Sequence, residues 1–212
     1  MNLFIEMLFK PDQRFYYLSW VFIVAFSVCV HEFAHAWTAS RLGDDTAARN
    51  GHLTLNPFVQ MGTSSLIMLA LFGIAWGAAP VDPSRLRSRG ASALVSFAGP
   101  GSNLLLSLIF AGLAVGLGNI AAPAITGFFK LGSAANGVLF FFNMLPIPMF
   151  DGWSIFSLFV PAMRRVTMQQ AQTFMWFFIM LVFMTRLGGF IWTAGYLVSG
   201  IMLLFWGGLL GM

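Results

Sequence analysis

Residues 15–40, FYYLSWVFIVAFSVCVHEFAHAWTAS, form an apolar run long enough for a membrane helix, and the run ends shortly after HEFAH at 31–35. On a helix, residues four apart lie on nearly one face, about 6 Å apart along the axis, so His31 and His35 can offer two imidazole nitrogens to one metal ion. Glu32 projects beside them and can take a proton from water at the metal. This spacing supplies half of a zinc site and leaves a third protein ligand to be found.

A match to HExxH also arises by chance in soluble helices, where a His pair beside a Glu is usually only a solvated face. The setting here is different, because residues 15–30 contain almost no polar group able to pair with an imidazole or a carboxylate. An ionisable side chain at bilayer depth is destabilising by several kcal/mol unless something compensates its charge. Three such groups side by side therefore favour a bound metal ion over a structural coincidence.

The composition indicates a membrane protein. Of the 212 residues, 58% are hydrophobic and only 8% are charged. A soluble domain carries about 25% charged residues, so this chain lacks the polar residues needed to cover a surface facing water. We expect an integral protein of the lipid bilayer without a cleaved signal peptide. The net charge of +4 comes from cations scattered between apolar segments, which is typical of topology signals and does not indicate a nucleic-acid partner.

The sequence predicts an all-α polytopic membrane protein with a single domain, 1–212, whose core is 15–152 and whose C-terminal helices lie within 171–210. About five to six hydrophobic helical segments are expected, with approximate bounds of 15–41, 58–79, 91–117, 123–144, 171–185 and 190–210. Residues 51–55, Gly-His-Leu-Thr-Leu, alternate in polarity, so a short strand or hairpin at the membrane surface is expected near 50–56.

The third ligand is sought among the acidic residues. Of the seven in the chain, only Glu32 and Asp151 fall outside predicted loops and interfaces. Because Zn²⁺ compensates a carboxylate where water cannot, Asp151 is expected to face the same cation as the histidine pair. A helix N-cap or an Asp-Gly turn is the competing interpretation of Asp151. His52, the remaining histidine, is a weaker candidate, because a strand histidine beside polar neighbours is more often a surface residue.

The chain resembles the site-2 protease family of intramembrane zinc metalloproteases in three motifs. The matching residues are His31-Glu32-Phe33-Ala34-His35, then Gly99-Pro100 with Asn103, and then Asn143 with Pro146, Pro148 and Asp151-Gly152. The chain is similar to the compact bacterial and archaeal members that have no PDZ domain. Residues 59–62 and 79–81 depart from the family pattern, which affects the expected handling of substrate more than the binding of metal.

The resemblance implies a role for each matching residue. It implies that His31, His35 and Asp151 bind zinc. Glu32 would be the general base and acid, and Asn143 would hold the substrate or stabilise the oxyanion. Two further residues, Asn103 and Asn56, are candidates for supporting the site; Asn103 in particular is expected to form interhelical hydrogen bonds, with a substrate contact as the alternative.

If the histidine pair and Asp151 meet, the later ends of segments 15–41 and 123–144 lie on one side of the membrane. Segment 58–79 must then begin and end on that same side, as a re-entrant or surface-lying segment. The distribution of arginines agrees with this side being the cytoplasm of a prokaryotic cell, with the protein in the cell (inner) membrane. The opposite orientation, with a full second crossing, fits the charges about equally well but separates the ligands.

The expected activity is hydrolysis of peptide bonds in a single-span transmembrane protein substrate, within or near the bilayer. The alternative is a membrane transporter of metal ions or protons that uses the same buried His, Glu and Asp cluster.

Overall fold

Four long apolar helices form the frame of the protein, which the computed structural model describes over residues 3–211, apart from the side chain of Phe183. They are Pro11–Arg41 (α1), Arg89–Gly116 (α5), Pro123–Asn143 (α6) and Leu187–Leu210 (α9). Each has the length and hydropathy needed to cross a membrane. The all-helical, multi-span architecture predicted from the sequence is confirmed.

Shorter helices connect or flank this frame. They are Thr46–Arg49 (α2), Pro57–Gln60 (α3), Gly62–Phe72 (α4), Asp151–Phe156 (α7) and Met168–Met184 (α8), with 3₁₀ turns at Phe4–Phe9, Pro83–Arg85 and Pro161–Arg165. Helices α4 and α8 are apolar but contain only 11 and 17 residues. Across residues 3–211 four helices, rather than five or six, are therefore long enough to be candidate spans, and the predicted number is not confirmed.

Helix α1 starts earlier than the apolar run that predicts it. Pro11 is its first residue, where the N–H that proline lacks would have no helical partner, and Asp12 lies in the first turn near the positive end of the helix dipole. The helix ends at Arg41, before Gly43 adopts a φ of 110°. At 1.5 Å per residue α1 is about 46 Å long, so the HEFAH stretch lies in its C-terminal third.

Helix α5 packs against α1, α6 and α9, and α6 packs against α9. Glycine allows α6 and α9 to approach closely: a Cβ on Gly195 of α9 would clash with Val138 of α6, and one on Gly137 would clash with the Gly195 carbonyl. Helix α5 is central to the site because it packs against α1, which carries His31 and His35, and against α6, which leads to Asp151.

The prediction of a strand near 50–56 is wrong, since no strand occurs in the part of the chain that the structure describes. The alternation is present, with Leu53 and Leu55 exposed and His52 and Thr54 half-buried. The inward carbonyl groups, however, bind a side chain rather than a second strand. The buried Gln60 amide donates to the carbonyls of His52 at 2.8 Å and Thr54 at 2.6 Å.

The apolar segment predicted at 58–79 is interrupted at two glycines. Gly62, the first residue of α4, and Gly73, which directly follows that helix, have φ values of 72° and 75°. The 11 residues of α4 span about 16 Å, roughly half the hydrocarbon thickness of a bilayer. Residues 74–82 then run without regular structure, and Ser65 pins them by accepting from the Trp76 N–H at 2.9 Å and donating to the Trp76 carbonyl at 2.7 Å.

A buried carboxylate ties the end of α1 to the loop before α5. Asp44 is 0% exposed. One of its oxygens accepts from the backbone N–H of Thr46 at 3.0 Å, and the other accepts from the N–H of Asp82 at 2.6 Å. Burial alone would raise the pKa of Asp44, but the hydrogen bonds from Thr46 and Asp82 outweigh it and lower that pKa. The carboxylate therefore stabilises the fold only while it is ionised.

We predict that this contact weakens in acid. Because the pKa of Asp44 is lower in the folded than in the unfolded protein, its contribution is complete above the unfolded value of about 4 and is lost as the pH falls through the folded value. Asp44→Asn should be less stable than the wild type by about 2 kcal/mol at pH 7, and the difference should shrink as the pH falls below about 4. Thermal unfolding in detergent micelles between pH 3 and 7 measures the difference.

The control for Asp44→Asn is Asp12→Asn, which changes an exposed aspartate at the opposite end of α1. Its effect on stability at pH 7 should be smaller than that of Asp44→Asn, because a surface charge near a helix end contributes only about 0.3–1 kcal/mol. A constant gap between Asp44→Asn and the wild type from pH 7 to pH 3 would contradict the assignment, because that gap would come from lost packing rather than from ionisation.

Candidate metal centre

Two imidazoles from α1 and one carboxylate from the start of α7 meet at a single point. His31 Nε2 and His35 Nε2 are 3.0 Å apart. Asp151 brings Oδ2 to 3.1 Å from the first and Oδ1 to 3.3 Å from the second. The structure thus brings together residues 120 and 116 positions apart in the chain. His52 is not part of this cluster, and its Nδ1 lies 3.3 Å from the Gln60 side chain.

The spacing of these three side chains fits a tetrahedral metal ion. Ligand atoms that lie 2.0–2.1 Å from Zn²⁺ are about 3.3 Å from one another, close to the spacings seen here. Their donor set, two imidazoles and one carboxylate, is the type found in zinc hydrolases that keep an open fourth position. Among the residues that the structure describes, His31, His35 and Asp151 are the cluster able to hold a metal ion.

Helix α5 contacts the Nδ1 atom of both imidazoles, on the side of each ring away from the centre. His35 Nδ1 donates to the carbonyl of Val95 at 2.7 Å, and His31 Nδ1 lies 2.6 Å from Asn103 Oδ1. These contacts turn the Nε2 atom of each ring toward the centre. A ligand histidine is usually oriented in this way, by a hydrogen bond to the ring nitrogen that does not meet the metal.

Gly99 of α5 keeps the centre open. A Cβ at this position would collide with Nε2 of both His31 and His35. The helix backbone can therefore approach the two rings closely while leaving room for an ion between them and the carboxylate. A side chain of any size would fill that room.

A tight turn after α6 sets the position of Asp151. Phe150 N–H donates to the Ile147 carbonyl at 3.0 Å, with Pro148 and Met149 at the centre of the turn and Met149 at a φ of 75°. Asn143 ends α6, and the chain turns directly afterwards.

The competing interpretation of Asp151 as a helix cap does not hold. Phe150 is the N-cap of α7, and no side chain caps that helix. Gly152 fits beneath the end of α6, where a Cβ would strike the carbonyl oxygens of Met144 and Leu145. The Asp151 carboxylate instead faces both histidine rings, with Oδ2 3.1 Å from His31 Nε2 and Oδ1 3.3 Å from His35 Nε2.

Glu32 lies beside the centre but bonds elsewhere. Its carboxylate is buried, and Oε2 accepts from the backbone N–H of Ala79 at 2.8 Å. Gly77 passes so close that a Cβ there would clash with the same carboxylate. The irregular segment 74–82 therefore covers the Glu32 carboxylate. Sequence patterns do not predict this contact, because the segment contributes only backbone atoms to it.

The remaining predicted residues are placed as follows. Asn143 lines the cavities next to the centre, while its amide donates to the Leu139 carbonyl at 3.0 Å. Asn56 is the N-cap of α3, accepting from the Phe58 N–H at 3.0 Å, and it lines neither cavity. No sequence pattern indicates the role of Val95, because that role depends on a backbone carbonyl group. Gly99 belongs to the Gly-Pro motif, but its closeness to the two rings is a property of the packed helices.

Two cavities flank Glu32. One, of about 310 Å³, is lined by Ser92, Ser96 and Ser154 as well as by the His–His–Asp cluster. The other, of about 370 Å³, is walled mainly by apolar side chains, among them those of Trp76, Leu139, Phe142, Phe150 and Met175. Both cavities reach His31 and Glu32, so a polar space and an apolar space adjoin the same carboxylate.

The fold and the centre define a helical, multi-pass membrane protein with a buried His–His–Asp cluster of the kind that binds a catalytic metal. The sequence profile of Peptidase family M50 matches residues 19–119 and 113–187. The chain belongs to this family, that of the site-2 proteases, as the resemblance of its motifs indicated. No solved structure matches the chain.

Several relatives carry names that agree with this family assignment. A protein of Bacillus subtilis (strain 168) with the name "Putative zinc metalloprotease YwhC" is 37% identical over 194 residues, which cover 87% of each chain. "Putative zinc metalloprotease Rip2" of Mycolicibacterium smegmatis is 38% identical over 139 residues, 60% of this chain and 51% of that protein. Rip2 of Mycobacterium tuberculosis (H37Rv) is 32% identical over 166 residues, 74% and 63% respectively. The chain thus matches about half to two thirds of the Rip2 proteins.

The clearance at Gly99 gives a test of the centre. Gly99→Ala should abolish metal binding, from about one ion per chain to nearly none, because the added methyl group occupies the space between the rings. Metal content of the purified protein, measured by atomic emission, gives the result.

Gly116→Ala is the matched control, since it adds the same methyl group to the same helix at a position with nothing within 4 Å. It should keep the full metal content. A Gly99→Ala protein that retains one ion per chain would show that the ion is not held between these rings.

Proposed function

We propose that the protein is an intramembrane zinc endopeptidase of the HExxH type that cleaves transmembrane proteins within or near the bilayer. The observation that carries this proposal is the convergence of His31, His35 and Asp151 to within 3.3 Å of their neighbours, beside a buried Glu32. Family membership supports a protease and does not favour the alternative of a metal-ion or proton transporter.

Nε2 of His31, Nε2 of His35 and the carboxylate of Asp151 would hold Zn²⁺. When bound, Zn²⁺ supplies a Lewis acid that lowers the pKa of water and polarises a peptide carbonyl. The hydrogen bonds that His31 and His35 make to α5 keep the rings in place during this chemistry.

Glu32 is suited to carry the proton. Its Oε2 atom is held by the Ala79 N–H, which leaves Oε1 to accept a proton from the attacking water and pass it to the leaving amine. The covering segment 74–82 also limits access of bulk water to this carboxylate, which strengthens its electrostatic interactions.

The two cavities indicate how a substrate would be accommodated. The polar cavity gives water a place beside the cluster, and the apolar cavity can take a large hydrophobic side chain next to the scissile bond. Asn143 lines both cavities, which supports the proposal that its side chain hydrogen-bonds the substrate backbone or the developing oxyanion. Such a site fits a single-span transmembrane protein, most of whose side chains at this depth are apolar.

The site is proposed to face the cytoplasm of a prokaryotic cell. Asp45, just after α1, forms ion pairs with Arg49 at 2.7 Å and with Arg85 at 3.1 Å, so the chain before α3 and the chain after α4 meet on one side. This is the behaviour of a re-entrant segment. The arginines associated with that end are Arg41, Arg49, Arg85, Arg87, Arg89, Arg164 and Arg165, whereas Lys10 and Arg14 precede or begin α1.

Cysteine labelling tests the orientation. Cys29, the only cysteine, is buried and can be replaced by serine to give a background for single cysteines at exposed positions. With a membrane-impermeant maleimide, cysteines at Asp12 and Asn119 should react in intact spheroplasts, whereas those at Asn50 and Ser84 should react only after lysis. Labelling of Asn50→Cys and Ser84→Cys on opposite faces would disprove the re-entrant arrangement.

Glu32→Gln tests the chemistry. The amide cannot accept a proton, so cleavage should fall by about 10²–10⁴-fold. The zinc content should stay unchanged, because Glu32 does not belong to the cluster that would hold the ion. Cleavage of single-span reporter proteins is measured after reconstitution into liposomes, together with bound zinc.

The control for Glu32→Gln is Glu6→Gln, which alters the other glutamate of the chain and should cleave like the wild type. Removal of metal with a chelator should stop cleavage, and added Zn²⁺ should restore it. Passage of zinc across the liposome membrane without cleavage of any reporter would instead identify a transporter.

A further inference from the structure

A chain of buried amide groups leads away from the His31 ring into the middle of the helix bundle. Asn103 of α5 bonds to the ring, and its amide lies 3.0 Å from the side chain of Asn136 on α6. Asn136 in turn reaches the hydroxyl of Ser27 on α1 at 2.9 Å. Asn103, Asn136 and Ser27 are each 0% exposed. Three helices are thus joined through polar groups that no water reaches.

The direction of this chain is fixed by backbone carbonyl groups, which can only accept. Asn136 Nδ2 donates to the Gly132 carbonyl and to Ser27 Oγ, both at 2.9 Å, so its two hydrogens are used and its Oδ1 must face Asn103. Asn103 Nδ2 donates to that Oδ1 at 3.0 Å and to the Ser27 carbonyl at 3.4 Å. Asn103 Oδ1 is left to face the His31 ring.

A consequence for His31 follows directly. With an oxygen 2.6 Å from Nδ1, the ring carries its hydrogen on Nδ1 and presents the lone pair of Nε2 to the centre. If the Asn103 amide were reversed, an NH₂ group would face Nδ1. The hydrogen would then move to Nε2, which could no longer serve as a ligand.

We propose that Asn136 is a positioning residue for the metal centre: it fixes the orientation of the Asn103 amide and thereby the tautomer of His31. The proposal rests on the metal-binding role of His31 put forward above. Asn136 touches none of the three ligand side chains, so its effect on the metal passes through Asn103.

If the role of Asn136 were purely structural, the residue would only provide a polar contact between helices. The bundle contains such a contact nearby, in which Ser133 Oγ lies 2.8 Å from Ser199 Oγ and 3.2 Å from Ser107 Oγ, all three buried. This serine cluster joins α5, α6 and α9 but makes no contact with the His31 ring. It therefore provides a control for the loss of a buried hydrogen bond in the same helices.

The test is a double-mutant cycle in zinc affinity, measured by competition with a chelator on the full-length protein in detergent. Asn103→Ala should weaken the affinity by 10- to 100-fold, the usual effect of removing a group that orients a ligand, and Asn136→Ala by about 10-fold. In the Asn103→Ala background, Asn136→Ala should cause no further loss. Substitution of Co²⁺ should give an altered visible spectrum in Asn136→Ala but not in Ser199→Ala.

The outcomes separate this proposal from the proposed function. Wild-type zinc affinity in Asn136→Ala, or an equal loss with and without Asn103, would overturn the positioning role while leaving the metal centre intact. A wild-type protein that binds no zinc would overturn both. Should Asn136→Ala not fold, Asn136→Leu fills the space with an apolar side chain and is subject to the same criteria.

Discussion

The buried ionisable groups of α1 are the constraint on which the rest of this structure depends. His31, Glu32 and His35 lie in an apolar helix, where an uncompensated polar group is destabilising by several kcal/mol. Each is given a partner: α5 supplies two, the loop at Ala79 supplies one, and Asp151 meets both rings. Among the residues described, only Thr126 Oγ1 is a buried side-chain polar atom without a hydrogen bond. Apart from that atom, the fully buried side-chain polar atoms of these residues are hydrogen-bonded, as a low-dielectric environment requires.

At three positions the close packing of the chain and the chemistry of the site both require glycine. Gly99 lets α5 approach the imidazoles, Gly77 lets the covering segment cross Glu32, and Gly152 lets α7 start against the end of α6. In each case a methyl group would strike either a proposed site residue or the backbone that positions one. These glycines are needed because the helices must come close without filling the space at the centre, and their conformational freedom is of secondary importance.

Much of the frame follows from sequence periodicity and length. The bounds of α1, α5, α6 and α9 lie within about four residues of the predicted runs, because a span needs about 20 apolar residues and few sequences satisfy that by accident. Asp151 could be singled out since buried carboxylates are rare. The strand near 50–56 could not be excluded from sequence, because alternation reports which side chains face inward and not whether another strand is present. What replaces that strand is a side chain, Gln60.

The centre is also a property of the whole fold rather than of one helix. His31 and Asp151 are 120 residues apart, and they meet only when α1, α5 and α6 are packed and the turn before α7 is formed. That turn places Met149 at a φ of 75°, a conformation unfavourable by roughly 1–2 kcal/mol for a residue with a side chain. Pro148 has its own φ fixed near the value that the first central position of the turn requires, and the contacts of Asp151 with both histidines oppose relaxation. Because an ion binding at these three ligands would bind the packed state alone, metal affinity and stability of this part of the bundle are thermodynamically linked.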